Sequence, residues 1–324
     1  MSALFVTDPL DGLQANIDSS VGLMAATQAL GSDVWVCQPE DLLADHGRLL
    51  ARARRITLRP RTPLGDHRWR IDPTWYDESE DRIIEVAETV STVLMRLEPP
   101  VDARYLHTTY LLDLAADAGV RVANRPDGIR EAHEKIVALR FPDLCPSTLV
   151  TTDPLAVHAF VDEHDVAVIK PVDGFAGTDV WMLRRSDPNV ASLVESATGQ
   201  GTRHVIVQRY LGAVTSGNKR LFLLDGEILG AVDRVPSETD FRIGPPVSAA
   251  EPDERDRLIA RRLAPFLNRL GIAIAGLDVI DGHLIEVNVT CPGGMHKTDA
   301  LLGTDHCGAI MRRLLQPTKE RVLT

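Results

Sequence analysis

The chain has little of what marks a specialised protein. Its four cysteines, Cys37, Cys145, Cys291 and Cys307, are scattered, which excludes a disulfide framework and fits a reducing compartment. No apolar run approaches the roughly 20 residues of a membrane-crossing helix. The opening Met1-Ser2-Ala3-Leu4-Phe5-Val6 carries none of the basic residues of a secretory leader. We therefore expect a cytoplasmic protein without a membrane partner. Positive charge is also in deficit: 35 Lys+Arg against 46 Asp+Glu give a net −11, which speaks against nucleic acid as a partner. Any anionic ligand must then be held by a local basic cluster or by metal ions. Among the 35 basic residues only Lys135, Lys170, Lys219, Lys297 and Lys319 are lysines, so each is worth inspecting. Three phosphate or nucleophile signatures are missing as well. Without G-x-x-x-x-G-K-[ST], G-x-G-x-x-G or G-x-S-x-G, a P-loop protein, a nicotinamide dehydrogenase and an α/β-hydrolase are all disfavoured.

What remains is an ordinary globular composition, 44% hydrophobic and 25% charged, so disorder is not expected. The 324 residues allow about two domains. The first part reads β-α-β, with strands at 3–6 and 33–37 around a helix at 19–30 that stops at Gly31, and this predicts a parallel sheet. Residues 48–72 read as a meander at the sheet edge. A strand at 92–96, a helix at 102–118 and a strand at 120–124 follow. After Pro126 the pattern changes to helix 128–141 carrying Lys135, strand 147–150, helix 155–163 and strand 166–170 with a hairpin partner at 180–183. Strands at 204–208 and 220–224, a helix at 252–269, a hairpin of 272–280 with 283–289 and one helix at 299–314 complete the reading. The fold class is α/β, with a boundary near 123–126.

Four stretches could carry chemistry. In Asp278-Val-Ile-Asp-Gly-His-Leu-Ile-Glu286-Val-Asn288, Glu286 and Asn288 lie two apart and share a strand face. Asp278 on the partner strand joins them if the register suits. Two carboxylates and an amide oxygen are hard donors suited to Mg²⁺, although the same alternation also describes the solvated face of an edge hairpin. In Ile169-Lys170-Pro-Val-Asp-Gly174-Phe-Ala-Gly177 a lysine ends an apolar strand before a glycine-containing turn. That turn could admit a phosphate, or could simply be a tight turn beside a snorkelling lysine. Glu134-Lys135 lies on the helix after Pro126. Gln208-Arg-Tyr210-Leu211, followed by Asn218-Lys-Arg220, could be a hinge offering edge groups to a purine. Cys291, His296, His306 and Cys307 lack the paired spacing of a zinc site.

Taken in series, these pieces resemble the ATP-grasp superfamily, and more closely the bacterial glutathione synthetases. The likeness covers nearly the whole chain. It is carried by Asp8-Pro9 with Asp18-Ser19-Ser20, Leu94-Met95-Arg96-Leu-Glu-Pro-Pro-Val-Asp102 with Thr109-Tyr110, Asn124-Arg-Pro-Asp-Gly-Ile-Arg130, Glu134-Lys135 and Pro146-Ser-Thr-Leu-Val150. The stretches from Ile169 to Gly177 and from Gln208 to Leu211, then Lys219-Arg220, Gly276-Leu-Asp278 and Glu286-Val-Asn-Val-Thr290 continue it.

The resemblance implies an ATP-grasp fold: a parallel-sheet domain at 1–123 on the substrate side, then an ATP-grasp domain at 124–317. Within the latter, a small lid-like subdomain at 124–208 and a C-terminal subdomain at 209–317 would clamp ATP. It implies that Lys135 and Lys170 hold the phosphates, with Gly174 and Gly177 in the turn after Lys170 joining them in ATP binding. Gln208, Tyr210 and Leu211 line the adenine site, and Asn218 meets the ribose. Arg220 is the catalytic residue at the γ-phosphate. Asp278, Glu286 and Asn288 ligate two Mg²⁺, for which Mn²⁺ can substitute. Asp18, Ser19, Ser20, Arg96 and Arg234 bind substrate. Lys219 beside Arg220 is counted in the same scheme. The reaction implied joins a small-molecule carboxylate to an amine, with ATP as co-substrate and an acyl phosphate between, in a homo-oligomer, dimer or tetramer.

Departures lie on the substrate side. Leu97-Glu98 stands where the family has a basic-acidic pair, and Ile17 where it has a lysine. The lid after Arg234, Ser237-Glu-Thr-Asp-Phe-Arg-Ile-Gly-Pro-Pro246, is shorter, with one glycine and two prolines, so a stiffer lid is expected. These motivate two substrate readings, a γ-glutamyl tripeptide ligase and a ligase of a specialised pathway joining glutamate to an unusual amino acid. A nucleotide-binding regulator without turnover is the third reading.

Overall fold

The computed structural model describes residues 1–65, 68–174, 177–237 and 240–316. Phe175 and Ala176 of the lysine-glycine stretch, Glu238 and Thr239 of the lid, Lys319 and position 317 lie outside the described residues.

The N-terminal part forms one large sheet. Its strands are β1 (Ser2–Thr7), β2 (Asp33–Cys37), β3 (Leu42–Asp45), β4 (Arg48–Leu58), then, past a separate two-stranded ribbon of β5 (Thr62–Gly65) and β6 (Arg68–Arg70), β7 (Tyr76–Glu78), β8 (Arg82–Glu85), β9 (Thr92–Arg96) and β10 (Arg121–Ala123). The main order is β10-β9-β1-β2-β4-β3, with β7 and β8 both on β4. The first four of these run parallel, as the β-α-β reading predicts, and β4 turns the edge antiparallel. Helix α1 (Ser19–Ala29) connects β1 to β2, a one-turn α2 (Val86–Thr89) precedes β9, and α3 (Ala103–Asp117) connects β9 to β10. Asp18 and Asp102 cap α1 and α3 by accepting from Ser20 N and Tyr105 N. Strand β9 is buried along its length and β1 from Ala3 onward, so both read as largely apolar runs.

Next comes α4 (Pro126–Glu131), shorter than the helix predicted at 128–141. The chain leaves the helix at Ala132 because the Glu134 carbonyl accepts from Val287 N, and the Glu134 carboxylate caps Val289 and Thr290. Lys135 therefore sits in a turn, not on a helix. A four-stranded antiparallel sheet follows, order β11-β14-β12-β13, from β11 (Thr148–Thr151), β12 (Val166–Pro171), β13 (Trp181–Arg184) and β14 (Val205–Arg209). It is backed by α5 (Pro154–His164) and α6 (Val190–Thr198) and has its own small core of Val157, Val161, Ala167, Ile169, Leu183, Val194, Ala197, Val205 and Val207.

The last sheet has five antiparallel strands, order β17-β16-β15-β18-β19: β15 (Asn218–Leu224), β16 (Glu227–Ser237), β17 (Asp240–Ala249), β18 (Ile274–Ile280) and β19 (His283–Asn288). The segment after Arg234 is thus a β-hairpin, and the edge position of β17 tolerates its prolines. Helix α7 (Glu254–Arg269) lies between β17 and β18. The final helix predicted at 299–314 is two helices, α8 (Met295–Leu302) and α9 (His306–Leu314). They are parted at Gly303, whose φ of 68° ends α8, and Asp305 caps α9.

Two further cores run across the boundary expected near residue 123. One joins Leu4, Val93 and Leu112 to Leu221, Leu263 and Val287. The other joins Phe5, Leu23 and Leu94 to Phe222, Ile274, Met295 and Ile310. Asn124 seals the seam: its amide donates to the carbonyls of Ile274 and Val289, both at 2.7 Å, and its oxygen accepts from Ile274 N.

Candidate active site

The middle and C-terminal sheets face each other across a cavity of about 400 Å³. Its floor is the β15–β18–β19 ribbon. Strand alternation turns Asn218 and Arg220 of β15 into the cavity and Lys219 away from it. Lys219 instead reaches the α7 N-terminus, donating to Asp256 at 2.5 Å and Asp253 at 3.2 Å. Its counting with the phosphate-binding lysines is therefore corrected: its charge serves the end of a helix.

In register, Asp278 stands opposite both Arg220 and Glu286, and Gly276 opposite Asn288. Asp278, Glu286 and Asn288 thus share one patch, because the bulge that shifts the hairpin falls after Asp278 rather than before it. Arg220 grips Asp278 through two bonds, Nε to Oδ1 at 2.5 Å and Nη2 to Oδ2 at 2.8 Å. Arg234 adds a third at 2.7 Å and donates from Nε to Asn218 Oδ1 at 3.1 Å. Burial opposes the Asp278 charge, but the two guanidiniums override it and hold its pKa at about 2. Glu286 is the opposite case: burial raises its pKa, only partly offset by Lys135 and Lys170.

Lys135 approaches Glu286 at 3.6 Å and donates to the carbonyl of Gly174, which ties it to the glycine turn. Lys170 is buried at the end of β12 and its pKa falls, chiefly through that burial. Gln208 at the end of β14 donates to Thr148 Oγ1 at 3.1 Å, and Tyr210 and Leu211 continue the wall into Asn218. The Tyr210 amide is already engaged by the Val166 carbonyl. At the opening, Arg242 of β17 donates to the Gly177 carbonyl at 3.2 Å.

The twelve residues expected to serve nucleotide, metal and catalysis therefore line one cavity, as does Arg234. Asp18, Ser19, Ser20 and Arg96 are not in its wall. They lie behind it, with Arg96 buried and donating to Ser20 Oγ at 3.3 Å and to the Pro292 carbonyl at 3.1 Å. Glu98 and Cys291 stand between the two groups and belong to the cavity wall. Burial raises the pKa of Glu98 against the pull of Arg96, and pushes the Cys291 thiol well up.

The sequence pattern of the prokaryotic glutathione synthetase ATP-grasp domain matches residues 134–303, and that of the same family's N-terminal domain matches residues 1–130. The chain is 41% identical over 310 residues to a glutathione synthetase of Thermosynechococcus vestitus, covering 94% of this chain and 96% of that one. It is 34% identical to one of Nitrosomonas europaea, covering 98% of each. The chain belongs to the prokaryotic glutathione synthetase family.

It is an ATP-dependent ligase that forms an amide bond, and its fold is an ATP-grasp fold. Solved structures agree on the fold. A D-cycloserine synthetase superposes with a TM-score of 0.64 at 20% identity, covering 97% of this chain and all of that one. The ATP-grasp ligase PsnB with a phosphomimetic variant of its minimal precursor, Mg and ADP superposes at 0.62 and 18%, covering 98% and 99%. Within this family reading, Glu134 and Asn124 stand out as residues whose work the sequence did not disclose. Asn124 is buried and Glu134 partly so, and both are clips whose partners lie 150 or more residues away. The Glu134-Lys135 pair was the available signal, but it read as one surface turn of helix. No helix among the described residues is long and apolar enough to cross a membrane.

Proposed function

We propose that this ligase uses the cavity as follows. ATP lies between the sheets, its adenine against Gln208, Tyr210 and Leu211, its ribose at Asn218 and its phosphates between Lys135, Lys170 and the Gly174–Gly177 turn. A carboxylate oxygen of the acid substrate attacks the γ-phosphorus, the bond to ADP breaks, and an acyl phosphate forms. The amine nitrogen then attacks the acyl carbon, phosphate departs with the bonding pair, and the amine proton passes to solvent or phosphate. Arg220 and Arg234 face the charge that gathers on the transferring phosphoryl group. Their contribution is electrostatic and is set in place before reaction. The carboxylate substrate enters from the Arg96 side, past Glu98.

The donor set fits Mg²⁺. Among the described residues no three of His, Cys, Asp or Glu converge on a metal position, so the amide oxygen of Asn288 is needed beside Asp278 and Glu286. Asn288 donates its NH₂ to the Gly276 carbonyl at 3.1 Å, which fixes the amide and leaves its oxygen for a cation. Two carboxylates with one amide oxygen make a hard site that leaves coordination positions for phosphate and water. Bound there, two Mg²⁺, or Mn²⁺, would neutralise phosphate charge.

The observation that carries the reading is the register that puts Asp278, Glu286 and Arg220 on one face beneath two lysines. A second substrate reading is favoured by Leu97. It is buried in the core at 1% exposure and brings no charge to the acid side. With Glu98 next to it, that wall suits an acid–amine pair other than γ-glutamylcysteine and glycine, such as glutamate with an unusual amino acid. We place the enzyme in the cytoplasm, acting on small molecules as a dimer or tetramer.

The deciding experiment is Mg²⁺-dependent ADP release over a panel of acids crossed with amines, products identified by mass. Glutathione as the dominant product would make the departures neutral. ADP release only with another pair would keep the mechanism and change the pathway. No ADP with any pair would favour a nucleotide-binding regulator.

A further inference from the structure

An amine attacks only after its ammonium form has lost a proton, and near pH 7 most of it is still ammonium. The second step therefore needs a base, in addition to the positive groups that serve phosphate. Among the described residues four carboxylates line the cavity: Glu98, Glu134, Asp278 and Glu286. Three of them are committed. Asp278 is held by Arg220 and Arg234, and its pKa of about 2 makes it a poor base. Glu134 Oε1 accepts from Val289 N, Thr290 N and Thr290 Oγ1 at 2.8, 2.9 and 2.7 Å. Glu286 faces Lys135 at 3.6 Å and belongs to the cation patch.

Glu98 is left. Among the described residues its carboxylate is in no salt bridge, and Arg96 acts on it only through space. The residue is firmly mounted: its N–H donates to Asp8 Oδ2 at 3.1 Å, and Pro99 and Pro100 follow. It remains exposed, so a proton taken up can pass on to water. Arg96 of β9 draws its pKa down, while Asp8 and Asp18, ahead of α1, push it up. The Cys291 thiol donates to it and, with its own pKa well up, stays neutral. Tyr105 of α3 faces the same group and feels Glu98, Glu134, Arg96 and Cys291. Desolvation outweighs the rest and leaves Glu98 above the ordinary 4.5, the direction that strengthens a base. The buried Tyr105 hydroxyl has no partner, which leaves this corner one spare polar group for water or ligand. Position suits the step as well. Cys291 follows Asn288 by three residues, which bounds their separation at about 10 Å. That span holds an acyl phosphate and an amine in line between the cation patch and Glu98.

We propose that Glu98 is the general base of the second step, taking a proton from the ammonium group of the amine substrate. This rests on the ligase reading and deepens it. The nitrogen lone pair so freed attacks the acyl carbon, the bond from that carbon to the phosphate oxygen breaks, and phosphate leaves with the bonding pair. The second nitrogen proton passes to phosphate or solvent, and Glu98 returns its own proton to water. The substrate class this selects is a primary amine that arrives as its ammonium ion.

The test compares two nucleophiles on Glu98→Gln and wild type. Hydroxylamine is largely unprotonated at neutral pH, needs no base, and traps the acyl phosphate as a hydroxamate. The acid is γ-glutamylcysteine, or the one that the panel selects in its place. With glycine at neutral pH, kcat of Glu98→Gln should fall about 100-fold, while hydroxamate formation falls less than about threefold. KM for ATP should not move. The loss with glycine should shrink as pH is raised to about 9, where more of the amine is already free. An equal fall with both nucleophiles would mean that Glu98 serves the acid or the fold, and would overturn the proposal. Wild-type rates with glycine in the variant would overturn it too. Neither ADP nor hydroxamate from the wild type with any acid would sink the ligase reading itself, and the proposal with it.

Discussion

The two sheets that enclose the cavity are built differently. The middle sheet rests on a private core of nine buried apolar residues between α5, α6 and one sheet face. The C-terminal sheet shares its cores with the N-terminal domain, and Asn124, Glu134 and the α8–α9 pair stitch the two together. Charge follows the same division. The C-terminal floor carries Asp278, already matched by two guanidiniums, whereas the middle sheet contributes Lys170, buried and with a lowered pKa. The lesson is a division between a fixed floor, where charge is pre-set, and a small jaw that can move because it owes little packing to its neighbours.

The strongest test of that division is Glu286→Gln. The charge of the floor is lost with little change in shape, so Mg²⁺-dependent turnover should fall at least about 100-fold while the far-ultraviolet spectrum is retained. Turnover near wild type would remove Glu286 from the site. Next, Ile169→Ala, in the private core, should cost about 2–5 kcal/mol, felt in the jaw. Hydrogen exchange should then accelerate in residues 148–209 and leave β1, β9 and β18 protected. Uniform acceleration would mean that the jaw and the body fold as one unit.

Asp299 probes what holds the body together. Burial opposes its charge, but hydrogen bonds from His306, Cys307 and Thr304 bring its pKa to about 2 against an ordinary 3.8. A carboxylate depressed in the folded state contributes stability above its unfolded pKa, and that contribution is lost as pH falls toward the folded value. Asp299→Asn should therefore cost about 2 kcal/mol in urea unfolding at pH 7. The gap from wild type should narrow as pH falls from 4 toward 2, and a gap that persists there would assign the effect to packing. The smallest effect is expected for Arg242→Ala, which unties β17 from Gly177. Loss of this exposed contact should raise KM for ATP only about two- to fivefold. A loss as large as that of Glu286→Gln would make Arg242 part of the chemistry.

Much of this was legible in the sequence where a rule is local. Alternation along one strand put Glu286 and Asn288 on one face, and the β-α-β pattern predicted the parallel sheet. What sequence could not settle was distance. Lys135 reads as helical until Glu134 is seen capping a strand end about 155 positions away. Lys219 reads as a phosphate ligand until alternation from Arg220 turns it toward α7. The two long strands after Asp225-Gly226 were missed because prolines and charges spoil their pattern; β17 bears its prolines at the sheet edge, and Pro236 of β16 lies beyond the last pair with β15.

The C-terminal helix has a consequence for how the chain is born. Thr92 Oγ1 and the Arg121 guanidinium both donate to the Leu314 carbonyl, and α9 lies against α1 under the first sheet. Translation makes β1 long before α9. Until α9 emerges, one face of the first sheet waits without its cover, a stretch in which a nascent chain is open to chaperones and to its neighbours. The cover of the oldest strands is thus a helix that follows every described strand in the chain, so that the strands can all be made while the first sheet is not yet sealed.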